Sequence, residues 1–342
     1  MTSRFSRWLV AGIALAALSS ACANGHRLSG VVRLAEASSA RCYIDGAGQL
    51  FCLGGGITLP DATQTPTNAA PRPIAGMTGM VRVAMSSDTV CGLRNDGKVL
   101  CFGAEVSRWT LGDRATLRAG IIEVDPGASA TEIAVGRGMA CAVISGGQVS
   151  CWGVSTNEAA FGRPMGAPTT GVETVSGLSN VTQISCGDRF ACARIVDGTV
   201  SCWGSNFGGA LGDGTMNDAH LPVQAQGLRS VVSIVAGASH VCAQREDRSV
   251  WCWGHNDDQQ LGSAGPARGT PAASEAMAGA LEVFATYNTT CWRAADGALR
   301  NSDPTSQPGQ FGAPTTARRL LSCGTIAWMP CVELNSGEVV CY

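Results

Sequence analysis

Cysteines stand ten positions apart six times in this chain, at Cys42/Cys52, Cys91/Cys101, Cys141/Cys151, Cys192/Cys202, Cys242/Cys252 and Cys331/Cys341. A seventh copy keeps Cys291 and has Asn301 where its partner would stand. From copy to copy the first cysteine advances by 49, 50, 51, 50, 49 and then 40 positions. A fixed period of this length means one supersecondary unit repeated along the chain, each copy burying its apolar face on the next. The period suits a β-propeller blade. Length alone would suggest two domains, but one ring of copies uses the whole chain.

Aligned on the first cysteine, the copies share two aliphatic columns. Eight positions before it stand Leu34, Val83, Ile133, Ile184, Ile234, Val283 and, with a two-residue insertion, Leu321. Eight positions after it stand Leu50, Val99, Val149, Val200, Val250, Leu299 and Val339. These columns read as the buried faces of strands. Between the paired cysteines a glycine recurs at Gly48, Gly97, Gly147, Gly198, Gly297 and Gly337. A three-residue hairpin loop needs a left-handed residue there, which glycine adopts without steric cost. Arg248 replaces it in the fifth copy, so a different or strained turn is expected.

The hairpin register places the cysteines. With Asn95-Asp96-Gly97 as the loop, Arg94 faces Lys98 and Cys91 faces Cys101. Three steps out from the closing pair is a non-hydrogen-bonded pair, with Cα atoms about 4.5 Å apart. A disulfide accepts separations of roughly 4.4–6.8 Å. Six cross-strand disulfides are therefore expected; the alternative is six pairs of small buried thiols. Metal binding fits less well, because ligand pairs sit on tighter knuckles. Cys22, Cys186, Cys291 and Cys323 remain. Cys291 and Cys323 fall in neighbouring copies and are within reach of a bond, while the pairing of all three internal cysteines stays open.

After the second cysteine comes a large residue and a glycine: Phe102-Gly103, Trp152-Gly153, Trp203-Gly204 and Trp253-Gly254. Farther on, Leu111-Gly112, Phe161-Gly162, Leu211-Gly212, Leu261-Gly262 and Phe311-Gly312 recur. Aromatic rings at a fixed repeat position read as packing between units.

The N-terminus carries Arg4 and Arg7, an apolar run from Trp8 to Leu18, and small residues before Cys22. That run is too short to span a membrane and reads as a signal peptide over 1–21. Leu18-Ser19-Ser20-Ala21-Cys22 is similar to a bacterial lipoprotein signal, in which Cys22 would carry the lipid. Its large aliphatic residue sits one place too early, and ordinary cleavage near Ala23 is the alternative. Export agrees with the cysteines, since disulfides persist in oxidising compartments. The formal net charge of −2 argues against a nucleic-acid partner.

The set of motifs resembles the regulator of chromosome condensation repeat. Its best copies are Asp197-Gly198-Thr199-Val200-Ser201-Cys202-Trp203-Gly204-Ser205-Asn206 with Leu211-Gly212-Asp213-Gly214-Thr215, and Gly237-Ala238-Ser239-His240-Val241-Cys242 with Cys252-Trp253-Gly254-His255-Asn256. The resemblance runs from about residue 28 to the end, and the cysteine-paired form is similar to exported bacterial members. It implies an all-β fold, a seven-bladed propeller of four-stranded blades filling 24–342, with the ring closed by the N-terminal segment. His26 to Leu28 stand where the missing last strand is needed.

Three functions are open to such a chain. The first is an extracytoplasmic propeller that binds a protein or cell-surface ligand. Its variable segments, roughly 55–76, 104–128, 154–178, 205–228, 255–278 and 302–318, would do the binding. The candidate contacts are Arg108, Trp109, Asn206, Phe207, His255, Asn256 and Asp257, with Asp258 beside them. An exported bacterial relative with this fold inhibits a β-lactamase by clamping it with one ring face. The second, guanine-nucleotide exchange, is implied by the family's namesake and conflicts with export. The third, a propeller lyase or hydrolase, lacks a convergent acid, base or metal set: His220, His255 and Asp257 have no metal-ligand spacing. The expectation is a monomeric non-enzyme without cofactor or metal. It would be a cell-envelope lipoprotein, facing the periplasm or the cell surface, or else secreted, and would touch membrane only through an N-terminal lipid.

Overall fold

The computed structural model describes residues 27–28, 30–37, 40–54, 57–61, 71–87, 89–103, 120–153, 158–162, 171–303, 317–323, 331–336 and 338–341. Each copy of the repeat folds into one antiparallel sheet. Blade 4 is representative: Val181–Cys186, Phe190–Ile195, Val200–Gly204 and Ala219–Gln224 pair in chain order. There are seven such sheets among the described residues. Six have four strands and that of blade 6 has three. The seventh sheet takes its fourth strand from the other end of the chain: Arg27–Leu28 lies against Val339–Cys341, with Arg27 opposite Val340 and Leu28 opposite Val339.

The first strands of the blades are Val31–Ala37, Met80–Met85, Ala130–Gly136, Val181–Cys186, Val231–Ala236, Glu282–Ala285 and Ala317–Ser322. Each packs against the first strand of the next blade, and the last packs against the first. They therefore surround the axis of a seven-bladed β-propeller, with the fourth strands outermost. The core follows this arrangement. It is divided into seven clusters, one at each seam between neighbouring blades.

The recurring aromatics fill four of those seams. Phe102, Trp152, Trp203 and Trp253 are fully buried, each against the blade before its own. Trp253 also donates its indole N–H to the Ala210 carbonyl at 2.8 Å, on the Leu211-Gly212 turn of blade 4. In blade 1, Leu53 takes the place of the tryptophan and packs into blade 7.

The turns follow the sequence reading. Arg94 N–H bonds the Lys98 carbonyl at 2.9 Å, and Gly97 has φ 84°, giving the three-residue loop. Arg248 keeps the same turn with φ 64°, so the strain falls on a side chain that disfavours the left-handed region. Five cysteine pairs face each other and are disulfide-bonded with Cα atoms 4.1 Å apart: Cys42–Cys52, Cys91–Cys101, Cys141–Cys151, Cys192–Cys202 and Cys242–Cys252. Cys331 is also disulfide-bonded, and Cys341 stands opposite it in the register. A further bond joins Cys291 of blade 6 to Cys323 beside the first strand of blade 7. Cys186 is a free, buried thiol whose pKa burial pushes up to about 12.

One alignment is corrected. Leu320, not Leu321, stands in the aliphatic column of blade 7: it is buried opposite Val332. The register shifts twice along this first strand, so a two-residue insertion misplaces the column by one residue.

Candidate binding surface

Strand direction divides the loops between two faces. The tight turns between second and third strands lie on one. On the other lie the inner loops, which join first to second strands, and the outer loops, which join third to fourth. The outer loops of blades 4 and 5, residues 205–218 and 255–267, hold five of the seven residues expected to make contacts. Arg108 and Trp109 lie outside the described residues, as does Cys22.

Two of the five are not surface groups. Asn206 and Asn256 are buried, and their amides hold their own loops together. The side-chain oxygen of Asn206 accepts from Leu211 N–H at 2.9 Å, and its amide donates to the Thr215 carbonyl at 3.1 Å. Asn256 repeats the clamp, accepting from Leu261 N–H at 3.0 Å and donating to the carbonyls of Ser263 and Gly265 at 3.0 and 2.9 Å. The recurring asparagine and Leu-Gly are thus two halves of one loop closure. A buried amide with all its bonds made is costly to disturb, which fixes what the loop presents.

What it presents is Phe207. The ring is 63% exposed and stacks on His255 of the next blade, centroids 5.2 Å apart at 25°. The two loops approach closely because Gly208 (φ 67°) lies over the His255 backbone; an added Cβ there would come within 2.9 Å of the His255 Cα. Gln260 donates its amide to His255 Nδ1 at 3.3 Å, so Nε2 carries the proton toward Asp257, 3.1 Å away. Asp257 itself is 82% exposed.

The surface continues toward the axis. His255 N–H bonds the Ser239 carbonyl at 2.8 Å, and the neighbouring Ala238 N–H bonds the Tyr287 carbonyl at 2.9 Å. Tyr287 is 55% exposed on the inner loop of blade 6. Met216 and Leu221 are also exposed on blade 4. Phe207 and His255 at the rim are thus joined through the backbone of Ser239 and Ala238 to Tyr287 nearer the axis, an aromatic track across three blades. Its outer loops contribute Asp213, Asp218, Asp257 and Asp258 and no lysine or arginine.

Tyr287 lies on an inner loop, outside the variable outer segments that the sequence marks for binding. Its signal is nonetheless in the repeat: four positions before the first cysteine the copies have Ser87, Arg137, Asp188, Ala238 and Tyr287, a column free to vary. Of the residues weighed for metal, His220 lies in the fourth strand of blade 4, whereas His255 and Asp257 share the outer loop of blade 5; a further histidine, His240, is buried in the seam. Among the described residues no three His, Cys, Asp or Glu side chains are grouped to hold an ion.

His240 is nonetheless informative. Its Nε2 lies 2.9 Å from the Thr290 hydroxyl, which donates its own proton to the Gln260 carbonyl at 2.7 Å. The imidazole must then donate from Nε2, leaving buried Nδ1 without a partner. Burial first, and His255 second, push its pKa down to about 3.

Comparison with known proteins places this geometry. A family model described as the regulator of chromosome condensation (RCC1) repeat matches residues 197–244, and a second model of that repeat matches 181–209 and 231–260. Among solved structures, yeast RCC1 (Prp20), crystallised with Kap60 bound, superposes with a TM-score of 0.72 at 16% identity, over 91% of this chain and 79% of that one. Human WBSCR16 gives a TM-score of 0.65 at 18% identity, over 79% of this chain and 72% of its own. The CRINKLY ectodomain of the Arabidopsis thaliana receptor kinase ACR4 gives 0.51 at 17% identity, over 92% of this chain and 98% of that one. At such identities the likeness establishes the fold. No curated protein matches the chain.

Proposed function

We propose that this chain, a member of the regulator of chromosome condensation repeat family, is an extracytoplasmic scaffold that binds a protein through the Phe207–His255–Tyr287 track. The observation that carries this is the exposed stack of Phe207 on His255, held by loops whose bases are clamped by buried asparagines. Exposed aromatics on preorganised backbone make good anchors, because little side-chain freedom is lost on binding. The fold supports the reading by analogy: yeast RCC1 was crystallised bound to Kap60, and the structure of Prp20p was described together with its binding to Gsp1p and histones.

The location is part of the proposal. The signal-like 1–21 segment and the disulfides fit an oxidising compartment. Lipidation of Cys22 would hold the ring at the envelope, and cleavage near Ala23 would release it. The exchange-factor and lyase or hydrolase readings gain no supporting observation from this surface.

The test is a crosslinked pull-down from exporting cells with the full chain, comparing wild type with Phe207→Ser and Tyr287→Ser. A discrete partner held by wild type and reduced at least about tenfold by either substitution is expected, a loss of about 1.4 kcal/mol. Capture that is indifferent to both substitutions would overturn the assignment of this face. Intact mass of the same material tests the location, through a lipid increment or cleavage near Ala23. A free, uncleaved N-terminus overturns it.

A further inference from the structure

The opposite face, at the axis, carries an arrangement that protein binding through the aromatic track does not use. On six of the seven first strands the register shifts near the start of the strand, next to its first pair. The residues just after the shift are Arg33, Arg82, Glu132, Gln183, Ser233 and Arg319, and Glu282 holds the same place opposite Arg293 in blade 6. Most of this column reaches forward to the next blade. Gln183 bonds both the N–H and the carbonyl of Ile234, each at 3.0 Å. Glu282 accepts from Leu320 N–H at 2.8 Å. Arg82 meets Glu132 at 3.1 Å, and Arg319 donates to the Val32 carbonyl at 3.5 Å.

Arg33 makes no such bond among the described residues. It is exposed, and its guanidinium donates to its own neighbour, the Val32 carbonyl, at 3.3 Å. It sits between Arg319 and Arg82 on three consecutive inner strands that pack side by side. Arg318 adds a fourth guanidinium beside Arg319. Two carboxylates lie among them: Glu132, which meets Arg82 and also feels the charge of Arg33, and Glu333, which meets Arg318 and Arg319 at 3.2 and 2.8 Å. The arc therefore keeps an excess of positive charge at one side of the axial mouth. Like charges set close together repel, and an anion seated between them removes that repulsion. Planar guanidiniums match carboxylate and phosphate oxygens in pairs.

We infer that the arc of Arg319, Arg33 and Arg82 is a binding site for a small multivalent oxyanion, with Arg33 as its central contact. The site lies on the face opposite the aromatic track and does not depend on it. The test is isothermal titration calorimetry of the disulfide-intact protein with sodium citrate and with inorganic phosphate, at constant ionic strength. One saturable site is expected for at least one of them, and the tighter binder identifies the head group as carboxylate or phosphate. Arg33→Gln, an exposed substitution, is expected to weaken it about tenfold or more while leaving the melting temperature in buffer unchanged. Phe207→Ser is expected to leave it intact. No saturable heat at millimolar anion, or equal binding by wild type and Arg33→Gln, would overturn the site.

Discussion

His240 shows how one buried side chain sets an acid limit. Folded, it stays neutral to about pH 3, because Nδ1 is buried without an acceptor for a second proton. Unfolded, it takes that proton near its ordinary value of about 6.5. Its folded value is depressed, so the unfolded state binds the extra proton between those limits. Stability from this group is complete above about pH 6.5 and falls by about 1.4 kcal/mol per pH unit as pH drops toward 3. His240→Gln is expected to flatten that part of the stability profile; denaturant midpoints at pH 7 and 4.5 with the same difference in both proteins would refute it. Arg248 makes the complementary case. It sits at φ 64° in a turn whose equivalents use glycine, and the left-handed region costs a non-glycine residue about 1–2 kcal/mol. Part of that gain is offset by the greater freedom of glycine when unfolded. Arg248→Gly should raise stability by about 0.5–1 kcal/mol, read as a higher denaturant midpoint; a lower midpoint would mean the arginine side chain contributes more than its backbone costs.

At the scale of elements, the cross-links differ by what they join. The ten-residue bridges brace hairpins, whereas Cys291–Cys323, with a sequence separation of 32, crosses the seam between blades 6 and 7. Blade 6 has no internal bridge, and Asn301 stands opposite Cys291. Chain-entropy reasoning gives about 3 kcal/mol for the shorter loops and about 4 for the longer. Replacing Cys291 and Cys323 together by serine is therefore expected to lower the melting temperature more than replacing Cys42 and Cys52 together. Equal losses would mean that the seam is held by its packing alone. The hairpin bridges were legible in the sequence because a two-stranded turn has one register, which glycine and the cysteine spacing both specify. The seam bridge was legible only as an open possibility. It depends on how one blade sits against the next, and spacing along the chain does not encode that. The same reason explains Leu320: two register shifts in one strand leave no mark that an alignment on cysteine can place.

At the scale of the molecule, repetition reveals what the copies share and hides what a ring brings together. The columns announced the blades, the seams and the buried aromatics. The aromatic track draws on blades 4, 5 and 6, and the arginine arc on blades 7, 1 and 2, so both appear only when the copies are set around an axis. That closure makes the N-terminal strand a test of the whole ring. His26 lies outside the described residues, but Arg27 and Leu28 pair with Val340 and Val339, the last strand of blade 7. Without that pairing, Val339–Cys341 would become an exposed edge strand, and unpaired edges invite association with other chains. The two ends of the chain would also cease to be tied through one sheet, leaving only the packing of blade 7 against blade 1, where Leu53 replaces the larger aromatic found at four other seams. Deleting residues 24–30 is therefore expected to lower the melting temperature by several degrees and to promote aggregation, with the hairpin disulfides still intact by thiol alkylation. An unchanged melt in a monomeric deletion variant would mean that side-chain packing at this seam holds the ring without the strand.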